Sequence, residues 1–534
     1  MRKLYSRFQY LSRMVTGLHE FLQTTPHPDP EGLIRLQLAN REANFLGLMR
    51  QVVFSNPANP YRAMFGLAGC EYGDLERAVN RDGLEPTLSA LHREGIYLAH
   101  DEFKLKKPIV RANREIPAGP DSFRNPLARG GTQGRSGGSR SSGTLFRTSV
   151  QARLQREAQY TLAVREFELS RRSLVVVKPI LPAADWIYNT IQYLRLGCSV
   201  DAWFSPVARS FDSTHYRLAT YALVAMARLK GLRAPFPSDL PFDDFSPAAR
   251  WIADRRRKGI SSAVFSYASP ATRVAAAAAE QGLDIRDTLF LVGGETLTDA
   301  KRRVIESTGA RVFPRYVIAE VGLIGCACRQ MSSGDCVHVA RDSVAVISYT
   351  RKAPFSGQPL ESLLFTSLLP CAPFALVNAE MDDGGVLDQA KCQCTYTAMG
   401  LTQVIRDINS YGKLTGHGVT LAGTEVVRVL EEVLPARLGG TATDYQLVER
   451  DGGAQAHLSL RVSRRVPLKS REEARRCFLH ELRALHGGEI ASRLWCDANA
   501  LEVIHEDPIP TARGKILPLH LLGSGVSGGS KRES

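Results

Sequence analysis

Two segments of this chain combine residue types that suit the binding of anionic groups. Residues 136–144 read Ser-Gly-Gly-Ser-Arg-Ser-Ser-Gly-Thr. Glycines let backbone N–H groups turn toward a polyphosphate, serine hydroxyls add donors, and Arg140 adds charge. Near the C-terminus, the run Thr-Ala-Arg-Gly-Lys ends at Lys515. Its glycine turn puts the ammonium group on a loop, where it can reach a phosphate or a carboxylate. Together the two segments predict a site for a phosphate-bearing ligand.

The glycine- and serine-rich segment is not the loop of the P-loop nucleotide-binding proteins, because no lysine follows its last glycine. An interdomain linker has a similar composition. Apolar sequence typical of folded structure flanks the segment on both sides, however. The segment therefore favours a phosphate-binding loop in another nucleotide-binding fold.

Two more segments lie between these, Val-Gly-Gly-Glu-Thr-Leu at 292–297 and Tyr-Val-Ile-Ala-Glu at 316–320. In order and spacing, the four segments together resemble the ANL superfamily of adenylate-forming enzymes, and within it the phenylacetate-CoA ligase branch. The resemblance runs from about Asn59 to Leu522. It implies an α/β fold, in which a large N-terminal adenylation domain has layered sheets and flanking helices. A small, mobile α+β C-terminal domain that carries the lysine loop is expected to follow.

The same resemblance implies an activity and its cofactors. A carboxylic acid would be activated with ATP and magnesium as an acyl-adenylate, with release of pyrophosphate, and then transferred to a thiol, that of coenzyme A. A carrier protein, a protein cysteine or an amine is an alternative acceptor. The resemblance places Lys515 on the substrate carboxylate and the α-phosphate, and Glu320 on magnesium, an ion that prefers oxygen ligands. These two are the expected catalytic residues.

The resemblance also assigns the residues that bind ATP. The residues expected to contact the phosphates, the adenine and the ribose are Ser136, Gly137, Gly138, Ser139, Arg140, Ser141, Gly293, Gly294, Glu295, Tyr316 and Asp383. Asp382 is the alternate to Asp383 at the ribose. The segment 407–413 matches the hinge between the two domains.

The chain departs from the family pattern at Arg140, Ser141 and Ala319, where the family has threonine, glycine and threonine. These departures leave open a second class of function, a degenerate nucleotide-binding homologue that forms no adenylate. Pyrophosphate release separates the two classes.

Cysteine and histidine are concentrated in one part of the chain. Cys336 and His338 form one closely spaced pair, Cys392 and Cys394 another, and Cys326 and Cys328 lie a few residues earlier. Soft ligands of this kind suit a tetrahedral zinc site. Cys336, His338, Cys392 and Cys394 are the predicted ligands, and four protein ligands would make the zinc structural. Burial of free cysteines as small apolar side chains is the alternative.

The composition indicates a globular, multidomain protein. The chain has 534 residues, of which 44% are hydrophobic and 23% charged, and this length exceeds what one core usually serves. The formal net charge of +14 favours anionic partners. Basic residues are scattered, and no zinc-finger or RNA-binding signature accompanies them, so nucleic acid is not an expected partner. A small carboxylic acid with coenzyme A or a carrier protein is expected instead.

Hydrophobic periodicity then locates the elements that would hold these residues. Helical patterns fill much of the first 110 residues, and strand and helix patterns alternate from 173 to 307, as in an α/β sheet. The predicted domains are 1–409 and 410–522, followed by a disordered tail at 523–534. The second domain is predicted to contain a hairpin at 445–462, a helix at 470–485 and a strand at 500–505. No apolar run approaches the roughly 20 residues of a membrane span, and the expected location is cytoplasmic.

Overall fold

The computed structural model describes most of the chain, in eleven stretches. They are residues 2–135, 145–181, 185–207, 214–331, 335–352, 359–410, 413–416, 419–450, 457–483, 501–511 and 514–522. The predicted phosphate loop and the predicted tail lie outside them.

Seven helices precede the first strand. They are α1 (Arg2–Leu22), α2 (Pro30–Ala39), α3 (Arg41–Leu48), α4 (Pro60–Leu67), α5 (Tyr72–Asp82), α6 (Leu84–Arg93) and α7 (His100–Phe103), with a π-helical turn at Met49–Phe54. The later helices are α8 (Val150–Glu166), α9 (Asp185–Arg195), α10 (Thr214–Leu229), α11 (Ser246–Arg257), α12 (Ala268–Glu280), α13 (Asp299–Glu306), α14 (Thr395–Ala398), α15 (Gly423–Arg428), α16 (Leu434–Leu438) and α17 (Arg471–Arg483). Leu169–Arg171 is a 3₁₀ turn and Val429–Val433 a second π-helical turn.

In the part of the chain that the structure describes, the strands fall into a large sheet, a smaller C-terminal sheet and three hairpins. The hairpins are β1 (Ile109–Arg111) with β2 (Arg114–Ile116), β3 (Thr132–Arg135) with β4 (Leu145–Thr148), and β17 (Lys413–Gly416) with β18 (Val419–Ala422). The large sheet contains β5 (Ser173–Val177), β6 (Ser199–Val207), β7 (Pro237–Pro241), β8 (Ser262–Ser266), β9 (Leu289–Gly293), β10 (Arg311–Ile318), β11 (Gly322–Cys326), β12 (Val337–Val339), β13 (Val344–Lys352), β14 (Pro359–Ser367), β15 (Ala379–Gln389) and β16 (Gln403–Ser410). The C-terminal sheet contains β19 (Tyr445–Arg450), β20 (His457–Val462), β21 (Leu501–His505) and β22 (Leu519–Leu522).

The large sheet has a parallel half and an antiparallel half. Its strand order is β13-β14-β15-β16-β12-β11-β10-β9-β8-β5-β6-β7. The strands from β10 to β7 run parallel to their neighbours, and those from β11 to β13 pair antiparallel. The parallel half therefore has all its carboxyl ends at one edge.

Helices cover both faces of the parallel half, which explains why β5 is apolar at almost every position. Leu174 and Val176 pack into the core that contains α8 and α9, whereas Val175 and Val177 pack against α11 and α12. A strand buried on both faces loses the polar alternation of a half-exposed strand. The predicted α/β class, with a large sheet and flanking helices, is confirmed.

The C-terminal unit has its own core. Its sheet has the order β21-β20-β19-β22, and apolar residues of α17 and of the Val429–Val433 turn pack against it. The predicted hairpin is confirmed, with Tyr445 opposite Val462 and Arg450 opposite His457. The predicted helix at 470–485 and the strand at 500–505 correspond to α17 and β21 within two residues.

The predicted hinge begins inside the large sheet. β16 continues to Ser410, which pairs with Asp383 of β15. Asp407 adopts a φ of 55°, a left-handed conformation that is uncommon outside glycine. The boundary between 409 and 410 therefore coincides with the end of β16, and the division into two domains stays a prediction.

A buried ion pair joins the C-terminal unit to α13. The Lys301 ammonium lies 2.8 Å from the Glu431 carboxylate, and both side chains are almost fully buried. The Thr298 hydroxyl also donates a hydrogen bond to Glu431, and Arg303 pairs with Glu432 at 2.9 Å. Rotation of the small unit, which stays a prediction, would have to break these contacts.

Candidate functional site

Adjacent parallel strands bring the predicted site residues to one edge of the sheet. Val177 of β5 is level with Ser266 of β8, Ser266 with Val292 of β9, and Gly293 of β9 with Arg315 of β10. The residues that follow these positions are Lys178, Tyr267, Gly294 and Tyr316. Ligands of open α/β sheets bind outside the carboxyl ends of the strands, so this edge is the candidate site.

The two glycines after β9 permit close packing that a side chain would block. A Cβ at Gly293 would lie 2.6 Å from the Arg315 carbonyl oxygen. Gly294 has a φ of 79°, and a Cβ there would lie 3.1 Å from the Tyr267 ring. Because neither glycine has a side chain, the Arg315 carbonyl oxygen can lie close to Gly293, and the Tyr267 ring can lie directly against the backbone of Gly294.

Glu295 holds the start of α12. Its carboxylate accepts hydrogen bonds from the Ser269 backbone N–H at 2.8 Å and from the Ser269 hydroxyl at 2.9 Å. The partial positive charge of a helix N-terminus favours a carboxylate there. Glu295, predicted to line the adenine pocket, thus fixes the loop to α12.

The lysine loop from the C-terminal unit reaches this edge. The Lys515 ammonium donates a hydrogen bond to the Gly294 carbonyl oxygen and lies 4.8 Å from the centre of the Tyr267 ring. The next residue, Ile516, donates its backbone N–H to the Ser269 hydroxyl at 3.0 Å. Gly514, with a φ of 69°, forms the turn. Lys515 and the 293–295 segment, distant in sequence, therefore share one site.

Tyr316 and Asp383 also come together. The Tyr316 hydroxyl donates a hydrogen bond to the Asp383 carboxylate at 2.7 Å. Tyr316 lies in β10 and Asp383 in β15, two strands that are not neighbours. Asp382, the alternate, adopts a φ of 65°.

Glu320 is paired within the protein. It lies in the turn between β10 and β11, and its carboxylate is 2.6 Å from the ammonium of Lys104 at the end of α7. Glu320 is only 4% exposed. A carboxylate whose charge is met by a lysine at 2.6 Å does not suit a magnesium ion in this arrangement. The magnesium assignment stays a prediction, and Lys104 is a partner that the sequence did not reveal.

The predicted phosphate-binding segment is rich in glycine and serine and follows β3 in the sequence. Ser136, Gly137, Gly138, Ser139, Arg140 and Ser141 lie outside the described residues. The strands on either side of the segment, β3 and β4, pair antiparallel, with Thr132 opposite Thr148. Strands therefore lie on both sides of the segment, although β3 is polar in sequence, and the assignment of the phosphate loop stays a prediction.

Four soft ligands gather at a second place, where β11 and β12 meet the segment before α14. The ligand atoms of Cys328, His338, Cys392 and Cys394 all lie within 4.8 Å of one another. The Cys392 sulfur is 3.8 Å from that of Cys328 and 3.6 Å from that of Cys394. The His338 Nε2 atom is 3.3 Å from both the Cys392 and the Cys394 sulfurs.

These distances fit a tetrahedral zinc ion. Zn–S bonds of about 2.3 Å at tetrahedral angles put two sulfurs about 3.8 Å apart. The His338 Nδ1 atom lies 2.9 Å from the Leu401 carbonyl oxygen, which fixes the ring and leaves Nε2 for a metal. A hydrogen bond from the Cys328 thiol, helped by His338, lowers the pKa of Cys394 to about 3. The donor set therefore fits a closed, structural zinc site.

One member of the predicted ligand set is different in the structure. Cys336 is buried but is not part of the cluster found among the described residues, and Cys328 is the fourth member instead. Sequence proximity favoured Cys336 because it is two residues from His338. The sheet register decides otherwise: Cys326 is opposite His338, and the chain continues from there to Cys328. The close spacing of Cys326 and Cys328 was the sequence feature that could have indicated Cys328 as a ligand.

Lys178 was not predicted, although it also lies at the strand edge. Its ammonium is 3.1 Å from the centre of the Tyr267 ring and 4.2 Å from that of Trp186. Burial, followed by the nearby charge of Lys515, lowers the pKa of Lys178 well below its ordinary value. The signal in the sequence was a lysine placed directly after a strand that is apolar at four of its five positions.

No protein-family model and no curated protein matches this sequence. Among solved structures, a 2-hydroxyisobutyryl-CoA ligase in complex with 2-HIB-AMP and CoA is similar at 16% identity and a TM-score of 0.42, covering 94% of this chain and 92% of that one. A GH3.15 acyl acid amido synthetase is similar at 10% identity and 0.41, covering 86% and 88%. An arginine-to-lysine variant of E. coli MenE with bound OSB-AMS is similar at 10% identity and a TM-score of 0.33, covering 66% of this chain and 62% of that one.

These similar structures are adenylate-forming enzymes of the ANL superfamily. Because each of these TM-scores is below 0.5, the likenesses say nothing about the chemistry of this chain, which has to be argued from its own residues. Among the described residues, no helix is long and apolar enough to cross a membrane.

Proposed function

We propose that this protein activates a carboxylic acid with ATP as an acyl-adenylate, releases pyrophosphate, and transfers the acyl group to a thiol, that of coenzyme A. The observation that carries the proposal is the lysine loop of the C-terminal unit at the strand edge, with Lys515 bound to the Gly294 carbonyl oxygen. Tyr316 and Asp383, joined at 2.7 Å, are the proposed contacts to the nucleoside.

In the first step, a carboxylate oxygen bonds to the α-phosphorus of ATP, and the bond from that phosphorus to the pyrophosphate oxygen breaks. The carboxylate is already a nucleophile and needs no general base. Catalysis then consists of alignment and of neutralising charge around the α-phosphate. Lys515 is the proposed source of that positive charge. No step runs through a metal at Glu320, whose carboxylate is paired with Lys104.

In the second step, the sulfur of the thiol bonds to the acyl carbon, AMP leaves, and the thiol proton passes to solvent. The phenylacetate-CoA ligase branch and coenzyme A as the acceptor belong to this proposal. We further propose that the small domain, residues 410–522, rotates between the steps and withdraws Lys515, which would open a path for the thiol.

We also propose that Cys328, His338, Cys392 and Cys394 hold a structural zinc ion. Its four ligands all come from the chain and leave no open coordination position for water or substrate. The zinc would join β11, β12 and the segment before α14, and it would take no part in the reaction.

ATP-dependent release of pyrophosphate, with hydroxylamine to trap the adenylate, tests the proposal. The panel is aryl, fatty, amino and dicarboxylic acids. We expect a hydroxamate with one acid class, and acid-dependent consumption of coenzyme A when hydroxylamine is left out. A protein that binds ATP but forms no pyrophosphate or hydroxamate with any acid would be a non-catalytic homologue. Ala319 and the Glu320–Lys104 pair would then explain the missing activity.

A further inference from the structure

Lys178 is a buried basic residue at the candidate site. It is 1% exposed, and its ammonium faces the rings of Tyr267 and Trp186. Within the described stretches of the chain, its side chain makes no hydrogen bond and no ion pair with a carboxylate. Burial of an unpaired ammonium is costly, so a protein rarely keeps one without a use for it.

Another lysine of this protein shows the usual alternative. Lys301 is buried to a similar degree, and its ammonium is paired with the Glu431 carboxylate at 2.8 Å. Near Lys178, the available carboxylate is Glu295, but its oxygens accept hydrogen bonds from Ser269 at the start of α12. Among the described residues, none therefore supplies an anion that pairs directly with Lys178, although Glu295 lies near enough for its charge to act on it.

The position of Lys178 indicates what could supply that anion. Lys178 and Lys515 both lie against the Tyr267 ring. Pro179, the residue after Lys178, is next to Gly514: a Cβ at Gly514 would be 3.8 Å from its ring. A ligand whose carboxylate lies at Lys515 would therefore lie beside the same aromatic ring that the Lys178 ammonium contacts.

On the basis of the proposed function, we propose that the substrate is a dicarboxylic acid. Lys178 binds the carboxylate that does not react, while Lys515 meets the carboxylate that is activated. Lys178 is then a specificity-determining residue for this enzyme. A hydrogen-bonded ion pair in a buried site favours the ligand that completes it over an analogue that lacks the anion, by about tenfold or more.

The test compares diacids with monoacids of matched skeleton, adipate with hexanoate and phthalate isomers with benzoate. Binding is measured by ligand-induced shifts of the unfolding midpoint of the full chain, and activation by pyrophosphate release. The variants are Lys178→Met, which keeps the length of the side chain, and Lys258→Met, an exposed lysine directly after α11, as the control. ATP binding is measured for each variant.

We expect at least one diacid to bind the wild type about tenfold more tightly than its monoacid. Lys178→Met should lose this preference and keep its affinity for ATP, and Lys258→Met should keep both. Because Lys178→Met removes an unpaired buried charge, its unfolding midpoint should be unchanged or higher. A lower midpoint would instead indicate a structural role for the lysine and overturn the inference.

Other outcomes also separate the inference from the proposed function. If monoacids are bound and activated as well as diacids, the inference is wrong and the adenylation proposal stands. If a Lys178-dependent preference for diacids is found without pyrophosphate release, the inference stands and the adenylation proposal fails. Absence of diacid binding, or loss of ATP affinity in place of diacid affinity in Lys178→Met, overturns the inference.

Discussion

The strand edge and the cysteine–histidine cluster are both built from residues far apart in the sequence, but they differ in how their polar groups are satisfied. At the cluster, four ligand atoms lie within 4.8 Å of one another, and the Leu401 carbonyl fixes the histidine ring. At the strand edge, Lys178 and Lys515 share one aromatic ring, and the nearby Glu295 is bound to Ser269.

This difference separates two uses of a charged site. A group of ligands that can complete the coordination of one ion, with its histidine already oriented, suits a resident metal. Two ammonium groups that lie against one aromatic ring at the edge of a parallel sheet would suit an anionic ligand that binds and leaves. The same protein thus contains a region that a permanent ligand would stabilise and a region in which, by the proposal above, Lys178 would bind an anionic group of the substrate.

The largest effect that this comparison predicts concerns the cluster. Purified protein without a histidine tag should contain about one zinc per chain, and Cys328→Ser should lose it and unfold at a lower temperature. Zinc binding contributes about 10–16 kcal/mol to small zinc-finger folds, so loss of a ligand here should cost several kcal/mol.

The control for this experiment is Cys336→Ser, which should keep the zinc. Metal analysis of the two variants decides between the cluster in the structure and the ligand set expected from sequence. Loss of zinc in Cys336→Ser alone would favour the set expected from sequence, and fully folded wild type without metal would remove the site.

At the strand edge, Lys515→Ala should have the largest effect. We expect adenylate formation, measured as hydroxamate, to fall about 10²–10³-fold, the usual result of removing one group that stabilises transition-state charge. The fold should remain intact, with an unchanged far-UV spectrum. Lys469→Ala, an exposed lysine on the same unit, is the control and should retain activity. Equal activity in Lys515→Ala and wild type would disprove the role of Lys515.

Gly294→Ala sharpens the comparison at the backbone level. The substitution should lower the free energy of unfolding by about 1–3 kcal/mol, because the residue has a φ of 79° and the added Cβ would lie 3.1 Å from the Tyr267 ring. Denaturant titration measures it. Gly47→Ala is the matched control, because that glycine is in α3 and a Cβ there would meet no atom within 4 Å. It should be neutral or stabilising, and a similar loss in both would contradict the strain at Gly294.

Tyr316→Phe should have the smallest effect. It removes the hydrogen bond to Asp383, which is worth about 1.5–3 kcal/mol when one partner is charged and less if Asp383 finds another donor. We expect several-fold weaker binding of ATP, measured by titration calorimetry. Tyr72→Phe, whose hydroxyl contacts Glu76 on the helical N-terminal part, should bind ATP normally. Unchanged affinity in Tyr316→Phe would separate this pair from the nucleotide.

Much of the local structure could be predicted from the sequence. The apolar run of β5 and the hairpin at 445–462 follow from patterns confined to a few neighbouring residues, and the structure agrees with both. The same holds for α17, whose predicted ends differ from the observed ones by two residues or fewer. These elements could be located from local periodicity because the pattern of apolar residues that each one buries lies within its own short stretch of sequence.

Partners across the sheet could not be predicted in this way. The choice of Cys328 over Cys336, the pairing of Glu320 with Lys104 and the position of Lys178 depend on which strands are neighbours and in which register. The sequence by itself determined the kinds of chemistry available: a lysine after a glycine turn, glycine-rich segments and soft metal ligands. Tertiary structure alone decided which of these groups meet. Burial of both faces of the sheet sets the order and register of the strands, and these fix the distances between residues that no local sequence pattern relates.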